Sequence, residues 1–126
     1  MGRSPSCAQG EERMRDLSIM LVEDDLRFRA GLSRALERKG ARVVAEAGTL
    51  AEARDVLPGR HPELLLVDFG LPDGVGLELV RELRETDVRC VLMSLHDDPA
   101  YHLEAQAACA QGYAPKHRLF ETLEGL

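Results

Sequence analysis

Short apolar runs separated by amphipathic stretches constrain this chain more than any other feature of its sequence. Leu17 to Val22, Val43 to Ala47, Leu64 to Val67 and Val88 to Met93 are four to six residues long and do not alternate with polar residues. Strands of that kind are covered on both faces. Between the runs the period changes. Phe28, Gly31, Leu32, Ala35 and Leu36 keep the i, i+3, i+4 spacing of one helix face until Gly40. Thr49 with Glu52 forms a capping-box pattern, and Ala53, Val56 and Leu57 continue the stripe until Pro58 and Gly59. After a Gly/Pro/Asp-rich loop, Leu79, Val80 and Leu83 mark a third helix. Asp98 and Pro99 are an N-cap and N1 pair for an alanine-rich helix reaching about Gln111. A short fifth strand around Tyr113 and Ala114 then precedes a last helix carrying Leu119, Phe120 and Leu123. The alternation predicts the α/β class, a doubly wound five-stranded parallel sheet with helices on both faces.

A length of 126 residues, 44% of them hydrophobic, is enough for one domain with its own core. The first stretch, MGRSPSCAQGEERMRD, has no periodicity, so residues 1–15 read as a flexible leader, with Met14 a candidate natural start, and 16–126 as the domain. The 22 acidic and 16 basic side chains give a net charge of -6, which argues against nucleic-acid binding by the domain and favours a cation or a basic partner. Cys7, Cys90 and Cys109 fit neither a disulfide framework nor zinc spacing. With no bilayer-length apolar run and no signal-peptide h-region, a cytoplasmic setting without membrane contact is expected.

The residues that end the strands are the ones that point to chemistry. Glu23, Asp24 and Asp25 follow the first strand, Asp68 the third, Ser94 the fourth and Lys116 the fifth. Open α/β sheets bind ligands at the carboxyl ends of strands where the strand order reverses. With the flavodoxin-like order 2-1-3-4-5, that rule brings Glu23, Asp24 and Asp68 into one crevice. Three like charges there need a cation, and an all-oxygen donor set suits Mg²⁺. Lys116 and Ser94 suit phosphoryl oxygens, and a carboxylate at a strand tip can itself accept a phosphoryl group. Singly, Asp68 reads as a cap or turn residue, the acids after the first strand as a solvated loop, and Ser94 and Lys116 as surface residues. Their coincidence at one sheet edge favours a site. Gly70, Gly74 and Gly76 lack the dinucleotide-binding order, no Walker A lysine motif occurs, and His61, His96, His102 and His117 lack metal-ligand spacing.

The segments IMLVEDD, LLLVDFGLPDGVGLELV, VLMSLHDDPAY and GYAPK resemble the receiver domain of bacterial two-component response regulators over about residues 17–126. The resemblance implies that Asp68 accepts a phosphoryl group from a sensor histidine kinase. Asp24, Asp68 and the carbonyl of Gly70 would ligate Mg²⁺, with Glu23 acting through water and Asp25 only a neighbour. The pair is set by Arg29, which falls five places after Asp24 as the family's early-helix arginine does. It further implies Ser94 as switch hydroxyl, Tyr113 as switch aromatic, Lys116 as phosphate contact, a cis peptide between Lys116 and His117, and a homodimer on phosphorylation. Cys109, where a glycine is common, and Pro115, directly before the lysine, depart from the pattern. VVAEAGTLAEARDVL and GLPDGVGLEL look most like the subclass with a LuxR-type helix-turn-helix output domain, which the 126 residues do not contain; the last helix is expected to be cut short. Two rivals stand beside this reading. One is an interaction module that works without phosphorylation. The other is a phosphatase of the haloacid dehalogenase kind, against which Gly70 stands where a second Asp is needed.

Overall fold

The computed structural model describes residues 14–125. Five strands form one parallel sheet: β1 (Ser18–Val22), β2 (Arg42–Ala47), β3 (Leu64–Asp68), β4 (Arg89–Ser94) and β5 (Gly112–Pro115), in the order β2-β1-β3-β4-β5. That is the expected doubly wound order. All five residues of β1 and of β3 are buried, as is β4 after Arg89. Successive side chains point to opposite faces, so each run supplies two cores at once. Met20, Val22, Leu65, Val67 and Leu92 face α2 (Leu50–Val56), α3 (Gly76–Leu83) and α4 (Pro99–Ala107). Ile19, Leu21, Leu64, Leu66, Val91 and Met93 face α1 (Leu26–Arg38) and α5 (Leu119–Glu124).

Register then decides which strand ends are level. Val22 pairs with Val67, so Glu23 and Asp68 follow side by side. Ser94 pairs with Pro115, which brings Lys116 one step past the end of β4. Pro115 is tolerated because it closes an edge strand, where a missing N–H costs no ladder bond.

Several boundaries differ from the sequence reading. Met14, counted in the leader, is 1% exposed and packs with the α1/α5 core; residues 1–13 of the expected leader lie outside the described ones. The loop after β3 contains a hairpin of two-residue strands, Gly70–Leu71 and Gly74–Val75. Helix α4 stops at Ala107 instead of near Gln111 because Cys109 adopts φ +66°. The Cys109 N–H donates to the Gln106 carbonyl and that of Ala110 to the Ala105 carbonyl, a Schellman closure normally given to glycine. The glycine that the family resemblance leads one to expect here would take this left-handed backbone without strain. After β5 a 3-10 turn, Lys116–Arg118, precedes α5. No cis peptide occurs among the described residues, so the bond from Lys116 to His117 is trans, against expectation.

The capping box of α2 is also shifted. Thr49 Oγ1 accepts from the Glu52 N–H at 3.0 Å, but the Glu52 carboxylate accepts from Gly48, at 2.6 Å, and not from Thr49. Asp73 completes that helix start by accepting from Leu50 and Ala51 at 2.8 and 3.0 Å, which ties the hairpin loop to α2. Gly76 opens α3 directly behind Asp68: a Cβ there would overlap the Asp68 carbonyl oxygen and lie 2.8 Å from Val67 Cγ2. Gly76→Ala is therefore expected to destabilise the domain by about 2–3 kcal/mol through overpacking, read from the urea midpoint. An unchanged midpoint would show that the strand end can yield.

Candidate functional site

The carboxyl ends of β1 and β3 hold three acids around one lysine. Glu23 is 1% exposed, and its Oε2 accepts from the Asp25 N–H at 3.0 Å. Asp25 is the N-cap of α1, accepting from Arg27 and Phe28 at 3.0 and 3.1 Å, and so turns the chain to leave Asp24 exposed above the crevice. Arg29 donates to the Glu23 carbonyl at 2.9 Å and pairs with Glu46 at 3.1 Å, fixing the loop from beneath. Glu23, Asp24 and Asp68 each offer a carboxylate oxygen within 4.8 Å of the others.

Lys116 enters from the end of β5. Its ammonium lies 2.7 Å from Glu23 Oε1 and 3.4 Å from Asp68 Oδ2, with side-chain exposures of 10% for the lysine and 12% for Asp68. Glu23 Oε1 is fully buried without a well-directed hydrogen bond, so this ion pair and any cation held with Asp24 and Asp68 are what can satisfy it. The donor set, three hard oxygens and one orphaned buried lone pair, fits a divalent cation.

Burial, then the neighbouring Glu23 charge, pushes the Asp68 carboxyl up to about 6, against the pull of Lys116; the Asp24 charge adds to the rise. Burial also opposes the Lys116 charge, but Glu23 and Asp68 outweigh it and hold the ammonium above its ordinary value. Three carboxylates share one cation, and Asp68 carries the deficit.

Of the other predicted residues, Gly70 lies two places past Asp68 in the hairpin, and Ser94 is buried at the end of β4. The Ser94 hydroxyl oxygen accepts from the His96 N–H at 3.2 Å. Ser94, Gly70, Phe69, His96 and Tyr101 border a cavity of about 230 Å³ beside Asp68. Tyr113 points inward, 7% exposed, its hydroxyl donating to the His96 carbonyl at 2.5 Å. It stands edge-on to Tyr101, which stacks on Phe69 at 4.1 Å. Serine and tyrosine thus grip the same residue, His96, from its two backbone groups. A larger cavity, about 660 Å³ between residues 57–63 and 83–89, lies at the opposite ends of the strands, away from these groups. Gly76 and Asp73 escaped the sequence reading, though the spacing of Gly74 and Gly76 after an Asp-ended strand was a usable signal of close backbone approach.

The chain matches the response regulator receiver domain family over residues 19–124. It is 37% identical over 106 residues to the DNA-binding transcriptional activator DevR/DosR of Mycobacterium tuberculosis, covering 79% of this chain and 48% of that protein. The signal receiver domain of the response regulator NarL from the same organism superposes with a TM-score of 0.79 at 27% identity, over 88% of this chain and 92% of that one. A LuxR-family two-component response regulator from Aurantimonas gives a TM-score of 0.77 at 32% identity, over 86% and 82%. The chain spans about half the length of the curated relatives it matches.

The raised Asp68 value fixes a pH dependence. The folded group titrates near 6 and its ordinary value is 3.8, so the native state binds more protons between about pH 4 and 6. Stability falls as pH rises through that window, and the full penalty is present above it. At pH 7.5, Asp68→Asn is expected to raise stability by about 1–2 kcal/mol. Lys116→Met, which leaves Glu23 buried without its cation, lowers it by about 3 kcal/mol. Urea denaturation gives opposite signs for the two variants if the charge balance is as described, and two losses if Asp68 is held by net attraction.

Proposed function

The chain belongs to the response regulator receiver domain family, and from that premise we propose that Asp68 accepts a phosphoryl group from a sensor histidine kinase. The observation that carries this reading is Lys116 Nζ set between Glu23 and Asp68, at 2.7 and 3.4 Å, below the exposed Asp24. An ionised Asp68 oxygen attacks phosphorus, the bond from phosphorus to the donor atom breaks, and an acyl phosphate remains on Asp68. Lys116 is already in place to pair with a phosphoryl oxygen, and the Ser94 hydroxyl can donate to another once it leaves His96. Mg²⁺, held by Asp24, Asp68 and the Gly70 carbonyl with Glu23 acting through water, would neutralise the charge that gathers there.

Movement of Ser94 toward the phosphoryl group frees His96, and with it the hydroxyl of Tyr113. That coupling would change the surface around α4 and β5, and a homodimer would form on phosphorylation. In the whole protein the switch would govern a DNA-binding output domain, as in the transcriptional relatives; this domain itself does not contact nucleic acid. No described helix is long and apolar enough to cross a membrane. A cytoplasmic setting is the one in which a receiver domain would meet its kinase. Residues 16–126 would form the receiver and 1–15 a leader, of which Met14 packs into the core.

Incubation with acetyl phosphate and Mg²⁺ is expected to add one phosphoryl mass to wild type and none to Asp68→Asn, and EDTA is expected to prevent the gain. Because the ligands must be ionised, apparent Mg²⁺ affinity should weaken as pH falls below about 6, roughly tenfold per unit at most. Titration calorimetry reads that slope. If instead the domain were a phosphorylation-independent interaction module, no phosphoryl mass would appear and partner affinity would be the same in Asp68→Asn.

A further inference from the structure

We propose that Phe28 is a positioning residue for the Lys116 ammonium, a role that rests on Asp68 being the phosphoacceptor. Lys116 Nζ lies 4.5 Å from the centroid of the Phe28 ring, over its face. The ammonium is therefore held from three directions: Glu23 at 2.7 Å, Asp68 at 3.4 Å, and the ring. A lysine head is a compact charge on a flexible four-carbon stem, with no fork to set its direction. Of its two carboxylates, Glu23 is the nearer by 0.7 Å. The ring's negative face is what keeps the ammonium from following Glu23 alone.

The placement of Phe28 is itself built in. Its backbone N–H donates to Asp25 Oδ1 at 3.1 Å, so the cap that turns the acidic loop also sets this side chain. Phe28 and Lys116 both line a groove of about 340 Å³, together with Leu32, Ala35, Leu119 and Phe120. A smaller aliphatic side chain at position 28 would widen that groove and offer no electron-rich face. Water from the groove would then solvate the ammonium and loosen its hold on Asp68. Phe120 borders the same groove but takes Lys39, at 5.2 Å, and so provides a control.

The test compares Phe28→Leu, Phe28→Tyr and Phe120→Leu in the otherwise unchanged chain. In ¹⁵N-resolved spectra recorded without phosphodonor, the Lys116 ammonium and adjacent methylene protons should be shifted upfield by the ring in wild type and Phe28→Tyr. The shift should vanish in Phe28→Leu and persist in Phe120→Leu. The rate of acetyl phosphate labelling should fall roughly three- to tenfold in Phe28→Leu, as expected for loss of a partly desolvated cation–π contact, and be restored in Phe28→Tyr. Unshifted Lys116 protons in wild type, or a wild-type rate in Phe28→Leu, would overturn the proposal. Should Phe28→Leu fail to fold, the wild-type and Phe28→Tyr spectra still decide. A wild type that takes no phosphoryl group would contradict the phosphoacceptor reading itself, while the Lys116 shift would separately settle where the ammonium sits.

Discussion

The buried ammonium of Lys116 carries the charge balance at the carboxyl ends of the strands. Parallel pairing brings Glu23 level with Asp68, and each is almost out of water. Two such carboxylates repel strongly, and a third, Asp24, stands above them. One lysine cannot neutralise all three. The closest contact goes to Glu23, and Asp68 is left raised to about 6 by burial and by its neighbour's charge. A site in this condition gains by taking up a cation, and a phosphoryl group placed on Asp68 would add negative charge and deepen that need.

The rest of the fold serves to hold that imbalance in place. Central strands with two apolar faces cannot slide without exposing a core on either side, so the register that sets Glu23 beside Asp68 is over-determined. Behind Asp68, Gly76 lets α3 approach the backbone more closely than any side chain would allow. Asp25 and Arg29 shape the β1–α1 loop, while Asp73 anchors the hairpin to the start of α2. On the other side, His96 is gripped by Ser94 and Tyr113 together, through its backbone N–H and its carbonyl.

Much of this could be read from the sequence because it rests on period and position. A change from period 3.6 to uninterrupted apolar runs marks helices and buried strands, and strand-ending Glu23, Asp68, Ser94 and Lys116 then fall at one edge in any doubly wound order. What escaped depends on three-dimensional approach. Nothing in the residue types says that Phe28 lies under Lys116, that Asp73 reaches α2, or that a Cβ at Gly76 would strike a carbonyl. Cys109 was noted as a departure from glycine, yet its left-handed backbone shows the same turn made at a steric cost. The buried Met14 was likewise set by packing that composition does not encode, whereas the trans bond after Lys116 is the ordinary geometry of a bond to a non-proline residue.

The central claim is that Asp68 sits in a like-charged, desolvated cluster that a divalent cation relieves. The most direct measurement is a pH titration of the Asp68 carboxyl carbon by ¹³C NMR, with and without Mg²⁺. The account predicts a midpoint near 6 in the free protein and a clear fall when the cation is present. A midpoint near the ordinary aspartate value, unmoved by Mg²⁺, would contradict it.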